Sequence, residues 1–97
     1  MRLGKEQAAT IRQLVKNRLG EESQVWLFGS RVDDSKRGGD LDLYVESKQP
    51  CDLSIKLSLM SEIQRSIGLR KVDLLVKNEG DPEREVFVTA KSEGVCL

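Results

Sequence analysis

The sequence has no histidine and two cysteines, Cys51 and Cys96, which lie far apart in the chain. Without imidazole there is no zinc site of the Cys/His type, no histidine acid–base relay, and no Ser-His-Asp or Cys-His nucleophile. Two isolated thiols read as free cysteines of a reducing compartment. An excess of charge of one sign is missing too. Lys plus Arg and Asp plus Glu number 16 each, so no global field draws the protein onto nucleic acid or a membrane. Strong nucleic-acid binding is not expected, and affinity for phosphate must come from a local cluster. No long apolar run occurs, and Met1-Arg2-Leu3-Gly4-Lys5-Glu6 lacks the apolar region of a signal peptide. The expectation is a soluble, cytoplasmic protein.

What is present fits a single domain over residues 1–97, with one modest core under a densely charged surface. The spacing of Ala8, Ile11, Leu14, Val15 and Leu19 predicts a helix over 5–19. Lys16 and Arg18 suit its last turn, and Gly20 suits its C-terminal stop. Residues 24–28 read as a strand buried on both faces, with Trp26 and Phe28 in the core, and residues 41–46 as a second strand. Over 51–67 the apolar residues fit either period, and length decides for a helix with Asp52 as N-cap and Gly68 after it. Leu53, Leu57, Met60, Ile63 and Ile67 are its expected buried stripe. Ile55 and Leu59 then lie at the edge of the core or in a patch for a partner. Residues 71–77 form a third strand, with Val72, Leu74 and Val76 on one face and Asp73 and Leu75 on the other. Asp81-Pro82-Glu83 reads as a helix start, with Asp81 as N-cap, Ser92 near the end and Gly94 as the stop. Val95-Cys96-Leu97 could add a short strand. The order α-β-loop-β-α-β-α belongs to the α/β (α+β) class, a small sheet with flanking helices.

The chemistry concentrates at three places. Gly29-Ser30 breaks the first strand, Asp40-Leu41-Asp42 opens the second, and Asp73 interrupts the apolar third. Alternation puts Asp40 and Asp42 on one face. Two carboxylates about 4 Å apart repel by roughly 1 kcal/mol in water and about 4 kcal/mol at an effective dielectric near 20. A divalent cation between them would account for that arrangement. If the second and third strands are neighbours, Asp73 joins them, and three carboxylates suit one or two Mg²⁺ (or Mn²⁺) ions that keep positions for water and phosphate oxygens. Gly29 lets backbone approach a phosphate, and Ser30 can donate to it. Arg31, Lys36 and Arg37 are candidates for neutralising phosphate charge. Asp73 could also accept a hydroxyl proton in place of histidine. Tyr44 shares the aspartate face and is expected at the rim.

With these residues in place, Phe28-Gly29-Ser30-Arg31-Val32, Gly39-Asp40-Leu41-Asp42-Leu43 and Val72-Asp73-Leu74-Leu75 resemble the minimal nucleotidyltransferase (MNT) family of the DNA polymerase β superfamily. That pattern is Gly-Ser, about ten residues, Asp-x-Asp, and a third aspartate on a later strand. The likeness runs over nearly the whole chain. It differs at Gly39, where many members have serine, and at Asp33-Asp34, where small residues are frequent. The resemblance implies a mixed sheet with flanking helices and transfer of a nucleoside monophosphate, AMP from ATP, to a hydroxyl. It implies Asp40, Asp42 and Asp73 as catalytic and metal-binding residues and Gly29, Ser30 and Arg31 as nucleotide-binding residues. Members this short resemble the antitoxin of HEPN–MNT pairs, so the implied partner is a HEPN-type helical protein encoded nearby, in a homo- or hetero-oligomer. A non-catalytic module that neutralises such a partner by occlusion is the alternative.

Overall fold

A computed structural model of the chain describes residues 5–28, 40–68 and 71–97. Helix α1 spans Lys5–Leu19, strand β1 Gln24–Phe28, strand β2 Asp40–Ser47 and helix α2 Leu53–Ile67. Strand β3 (Lys71–Asn78), helix α3 (Glu85–Glu93) and strand β4 (Val95–Cys96) follow. None of the described helices is long and apolar enough to cross a membrane.

Local signals set most boundaries. Gly20 takes φ 96°, and its N–H donates to the Lys16 carbonyl at 2.8 Å, closing α1. The Lys16 ammonium then donates to the carbonyls of Glu21 and Ser23, clamping the turn that leads into β1. The Asp52 side chain accepts from the Ile55 N–H at 2.9 Å as N-cap of α2, and Gly68 ends the helix at φ 73°.

The sheet runs β3-β2-β1-β4 and is mixed. β1 pairs antiparallel with β2 and β4, whereas β2 and β3 are parallel neighbours joined through α2. Helices α1 and α2 cover one face, packing Ile11, Val15, Leu19, Leu59 and Ile63 on Val25, Leu27, Leu43, Val45, Val72 and Leu74. The Arg18 guanidinium grips Glu62 with two hydrogen bonds, of 3.1 and 2.9 Å, and ties these helices together. Helix α3 covers the other face, setting Phe87 and Ala90 on Trp26 and Tyr44. β1 is therefore buried on both sides, as its unbroken apolar run predicts.

Three expectations change. First, α2 is rotated from its expected stripe. Leu59 and Ile63 are fully buried, whereas Leu53 and Leu57 are 68% and 52% exposed. At 100° per residue the last two lie roughly 100–140° from the buried row. The helix is apolar around more than half its girth, and the positions of α1 and β3 choose which part is covered. Second, α3 starts at Glu85 rather than next to Asp81, with Arg84 as an N-cap that makes no side-chain hydrogen bond. Asp81 instead closes a turn at the end of β3: its carboxylate accepts from the Asn78 N–H at 2.8 Å, and Gly80 takes φ 93°. Third, Tyr44 is a core residue with no exposed surface.

Gly94 ends α3 in an extended conformation, passing close to β1. A Cβ there would sit 2.5 Å from the Ala90 carbonyl oxygen and 2.9 Å from that of Leu27. Both are backbone atoms of packed elements and cannot swing away. Gly94→Ala is expected to cost about 1–3 kcal/mol, read as a lower urea midpoint at unchanged m-value.

Candidate active site

The parallel ladder sets Asp42 directly opposite Asp73 and Asp40 opposite Lys71. Residues paired across a ladder share a face, with strands about 4.8 Å apart. Asp42 and Asp73 are thus side by side, Asp42 half-buried and Asp73 exposed. On the other side of β2, Phe28 is opposite Asp42, so Phe28, Asp42 and Asp73 form one row across three strands. Spacing could not reveal this row, because it depends on which strands are neighbours and in what register. Asp40 opens β2, two residues before Asp42, and its side chain lies outside the described residues. Gly29, Ser30 and Arg31, with Asp33, Asp34, Lys36, Arg37 and Gly39, also lie outside them. Gly29 follows Phe28 in sequence, next to the strand residue that faces Asp42.

The next row inward is Trp26, Tyr44 and Leu75. Here α3 closes over the sheet. The Tyr44 ring lies 5.4 Å from Trp26 and 5.6 Å from Phe87, centroid to centroid. Its hydroxyl donates to Glu46 at 2.9 Å, and Glu46 pairs with Lys91 at 3.3 Å. The Lys91 ammonium also sits 5.3 Å above the Trp26 ring. Tyr44 has no exposed surface, so it is not the rim residue that alternation suggests. Alternation reports its face correctly but cannot show that a helix covers that face.

Burial drives the Tyr44 hydroxyl far above its ordinary value, and the bond to Glu46 and the negative charges of Glu46 and Glu83 add to this. An unfolded chain ionises this group near pH 10.0, whereas the folded chain keeps it protonated to higher pH. The stability it contributes is full below about pH 10 and declines as pH rises beyond that value. Tyr44→Phe is expected to cost about 1 kcal/mol at neutral pH through the lost hydrogen bond and to flatten the alkaline decline. Tyr44 is the one tyrosine of the sequence, so tyrosinate absorbance reports it alone. In the wild type that signal should rise together with unfolding.

A cleft of about 400 Å³ adjoins the carboxylate row, lined by Asp73 and Leu75 of β3, Leu53, Lys56 and Leu57 of α2, and Val86 of α3, among others. Elsewhere, Cys51 is half-buried and unbridged, its thiol raised by burial and by Asp52, and Cys96 is an exposed free thiol. Both agree with the reading of free cysteines.

The donor set fits a hard cation. Two carboxylates in register on adjacent strands, one of them exposed, match Mg²⁺, which keeps water or phosphate oxygens in its remaining positions. Among the described residues no group of three metal-ligating side chains occurs.

The sequence pattern of the family described as Polymerase beta, Nucleotidyltransferase matches residues 10–97. No curated protein matches the chain significantly. Among solved structures, a crystal structure from Shewanella oneidensis superimposes with a TM-score of 0.73 at 15% identity, over 97% of this chain and 71% of that one. A chain of the Shewanella oneidensis complex of a tri-AMPylated HEPN toxin with an MNT antitoxin superimposes with a TM-score of 0.70 at 17% identity. That match covers 95% of this chain and 69% of the other. Both likenesses establish the fold: the small mixed sheet with three helices is the polymerase β-like nucleotidyltransferase fold, as expected.

Proposed function

Because the chain belongs to the Polymerase beta nucleotidyltransferase family, we propose that it transfers AMP from ATP to a hydroxyl of a protein partner. The partner in this reading is a HEPN-type toxin encoded beside it, whose antitoxin this chain is. The observation that carries the proposal is the in-register pair Asp42 and Asp73 at an accessible end of the sheet. Support for the pairing comes from the Shewanella oneidensis complex, in which the HEPN toxin is AMPylated and bound to an MNT antitoxin. ATP as donor suits the cytoplasm.

In this mechanism Asp40, Asp42 and Asp73 would hold Mg²⁺, which would supply charge neutralisation on the phosphates and a lower pKa for the attacking hydroxyl. Gly29 and Ser30 take the triphosphate against the backbone, and Arg31 adds positive charge to it. The acceptor oxygen forms a bond to the α-phosphorus as the bond to the β-phosphate bridging oxygen breaks, and pyrophosphate leaves with that electron pair. Asp73, the exposed carboxylate, receives the hydroxyl proton and passes it to solvent. Phe28, paired with Asp42 across β1 and β2, flanks that side of the row.

The test is transfer of label from [α-³²P]ATP to the purified product of the adjacent gene, with Mg²⁺ present. Label on a partner hydroxyl is the expected result. Absence of label with every nucleotide and divalent metal supplied would overturn catalysis. Neutralisation of the partner by a variant unable to transfer would make occlusion the function.

A further inference from the structure

Three of the five exposed large apolar side chains among the described residues, Leu53, Leu57 and Val86, line one cleft together with Asp73. Leu53 and Leu57 stand one turn apart on α2, and Val86, 46% exposed, comes from the first turn of α3. These helices lie on opposite faces of the sheet. Between them is β3, which ends the strand order on that side. Apolar side chains from two separate elements thus flank an edge strand, and that strand carries a candidate catalytic carboxylate. Exposed apolar surface gathered in one place marks a surface that becomes covered. The described lining is mostly apolar. Among the described lining residues its cation is Lys56, and Asp73 faces the same space.

We infer that this cleft is the docking groove for the acceptor protein. An amphipathic segment of the partner lays apolar side chains over Leu53, Leu57 and Val86, sets an acidic residue against Lys56, and so delivers its hydroxyl to Asp73. The inference rests on the transfer reading above and adds to it where the acceptor binds and what chemistry it presents. Continuity with Asp73 selects this occupant: Asp73 lines the same cleft as Leu53, Leu57 and Val86, so a segment held against them lies beside that carboxylate. A hydrophobic groove that takes the apolar face of an amphipathic segment is a recurrent mode of peptide recognition.

The test compares Leu53→Ser/Leu57→Ser with Val88→Ser. Val88 is 50% exposed on α3 but lies outside this cleft, so it controls for loss of any exposed apolar group. Affinity for the purified adjacent-gene product is measured by calorimetry without ATP, and labelled transfer is followed as acceptor is varied. The double variant should bind at least about tenfold more weakly and show the same rise in acceptor KM, with kcat, ATP KM and melting temperature unchanged. Val88→Ser should match wild type. Lys56→Glu should weaken binding further at low salt than at high salt. Unchanged affinity in the double variant overturns the inference. So does a rise confined to ATP KM, which would make the cleft a nucleotide site, or a wild-type dimer that the double variant dissociates, which would make the occupant a second copy. A wild type that binds the partner without transferring label overturns the catalytic reading, while the affinity series still decides the groove.

Discussion

Asp42→Asn should abolish nucleotide transfer, lowering its rate by at least about 10³-fold, while the protein stays folded. Loss of partners outside a metal's own ligand shell already costs about 10–100-fold, and Asp42 is placed to be a ligand. The substitution keeps size and shape and removes one negative charge beside Asp73. Its effect is thus aimed at the cation and the phosphates. A readout besides turnover is available. A metal that binds only the folded state stabilises it by RT ln(1 + [L]/Kd), about 1.4 kcal/mol at ten times Kd. For a domain of this size that corresponds to a rise in melting temperature of roughly 5–10 °C. Wild type should show this rise with Mg²⁺ and lose it with chelator, and Asp42→Asn should show none. Transfer at wild-type rate by Asp42→Asn would remove Asp42 from the chemistry. Equal Mg²⁺ stabilisation of both proteins would remove it from the metal site.

The second large effect lies in α2. Leu59→Ala is expected to destabilise the protein by about 2–5 kcal/mol, the range for deleting a buried leucine side chain and leaving a cavity. Leu59 is fully buried among α1, α2 and the sheet, so little around it can collapse into the space. Leu57→Ala, two residues earlier on the same helix, should change stability by less than about 0.5 kcal/mol, because Leu57 is 52% exposed. Against a typical stability of about 5–10 kcal/mol for a small domain, the first variant should melt many degrees below wild type and the second beside it. Paired urea titrations check both, and a reversed order would mean that α2 faces the other way.

These two residues also mark where sequence reasoning stops. The helix at 53–67 is legible because its signals are local. Asp52 reaches its own first turn, and Gly68 adopts a left-handed backbone that few other residues tolerate. Its rotation is not legible. Leu53, Leu57, Met60, Ile63 and Ile67 make as good a stripe as Ile55, Leu59 and Ile63, and only the location of α1 and β3 separates them. Asp81 shows the same limit at shorter range. Asp-Pro-Glu is good chemistry for a helix start, but the Asp81 carboxylate is already engaged by the Asn78 N–H at the end of β3. Tyr44 lies on the face that alternation assigns to it, and α3, arriving from forty residues along the chain, turns that face into core.

For the candidate site the division is similar. Which residues are candidates for the chemistry follows from the sequence by itself. Gly29-Ser30, Asp40, Asp42 and Asp73 stand out by residue type and by the two-residue period of a strand, both of which are properties of the local chain. That Asp73 comes to lie beside Asp42, with Phe28 on the other side and an apolar cleft leading away, was decided by the tertiary structure. A parallel pairing of β2 with β3 is made by a crossover helix, and register between strands separated by that helix is set by packing of the whole core rather than by any neighbouring residue.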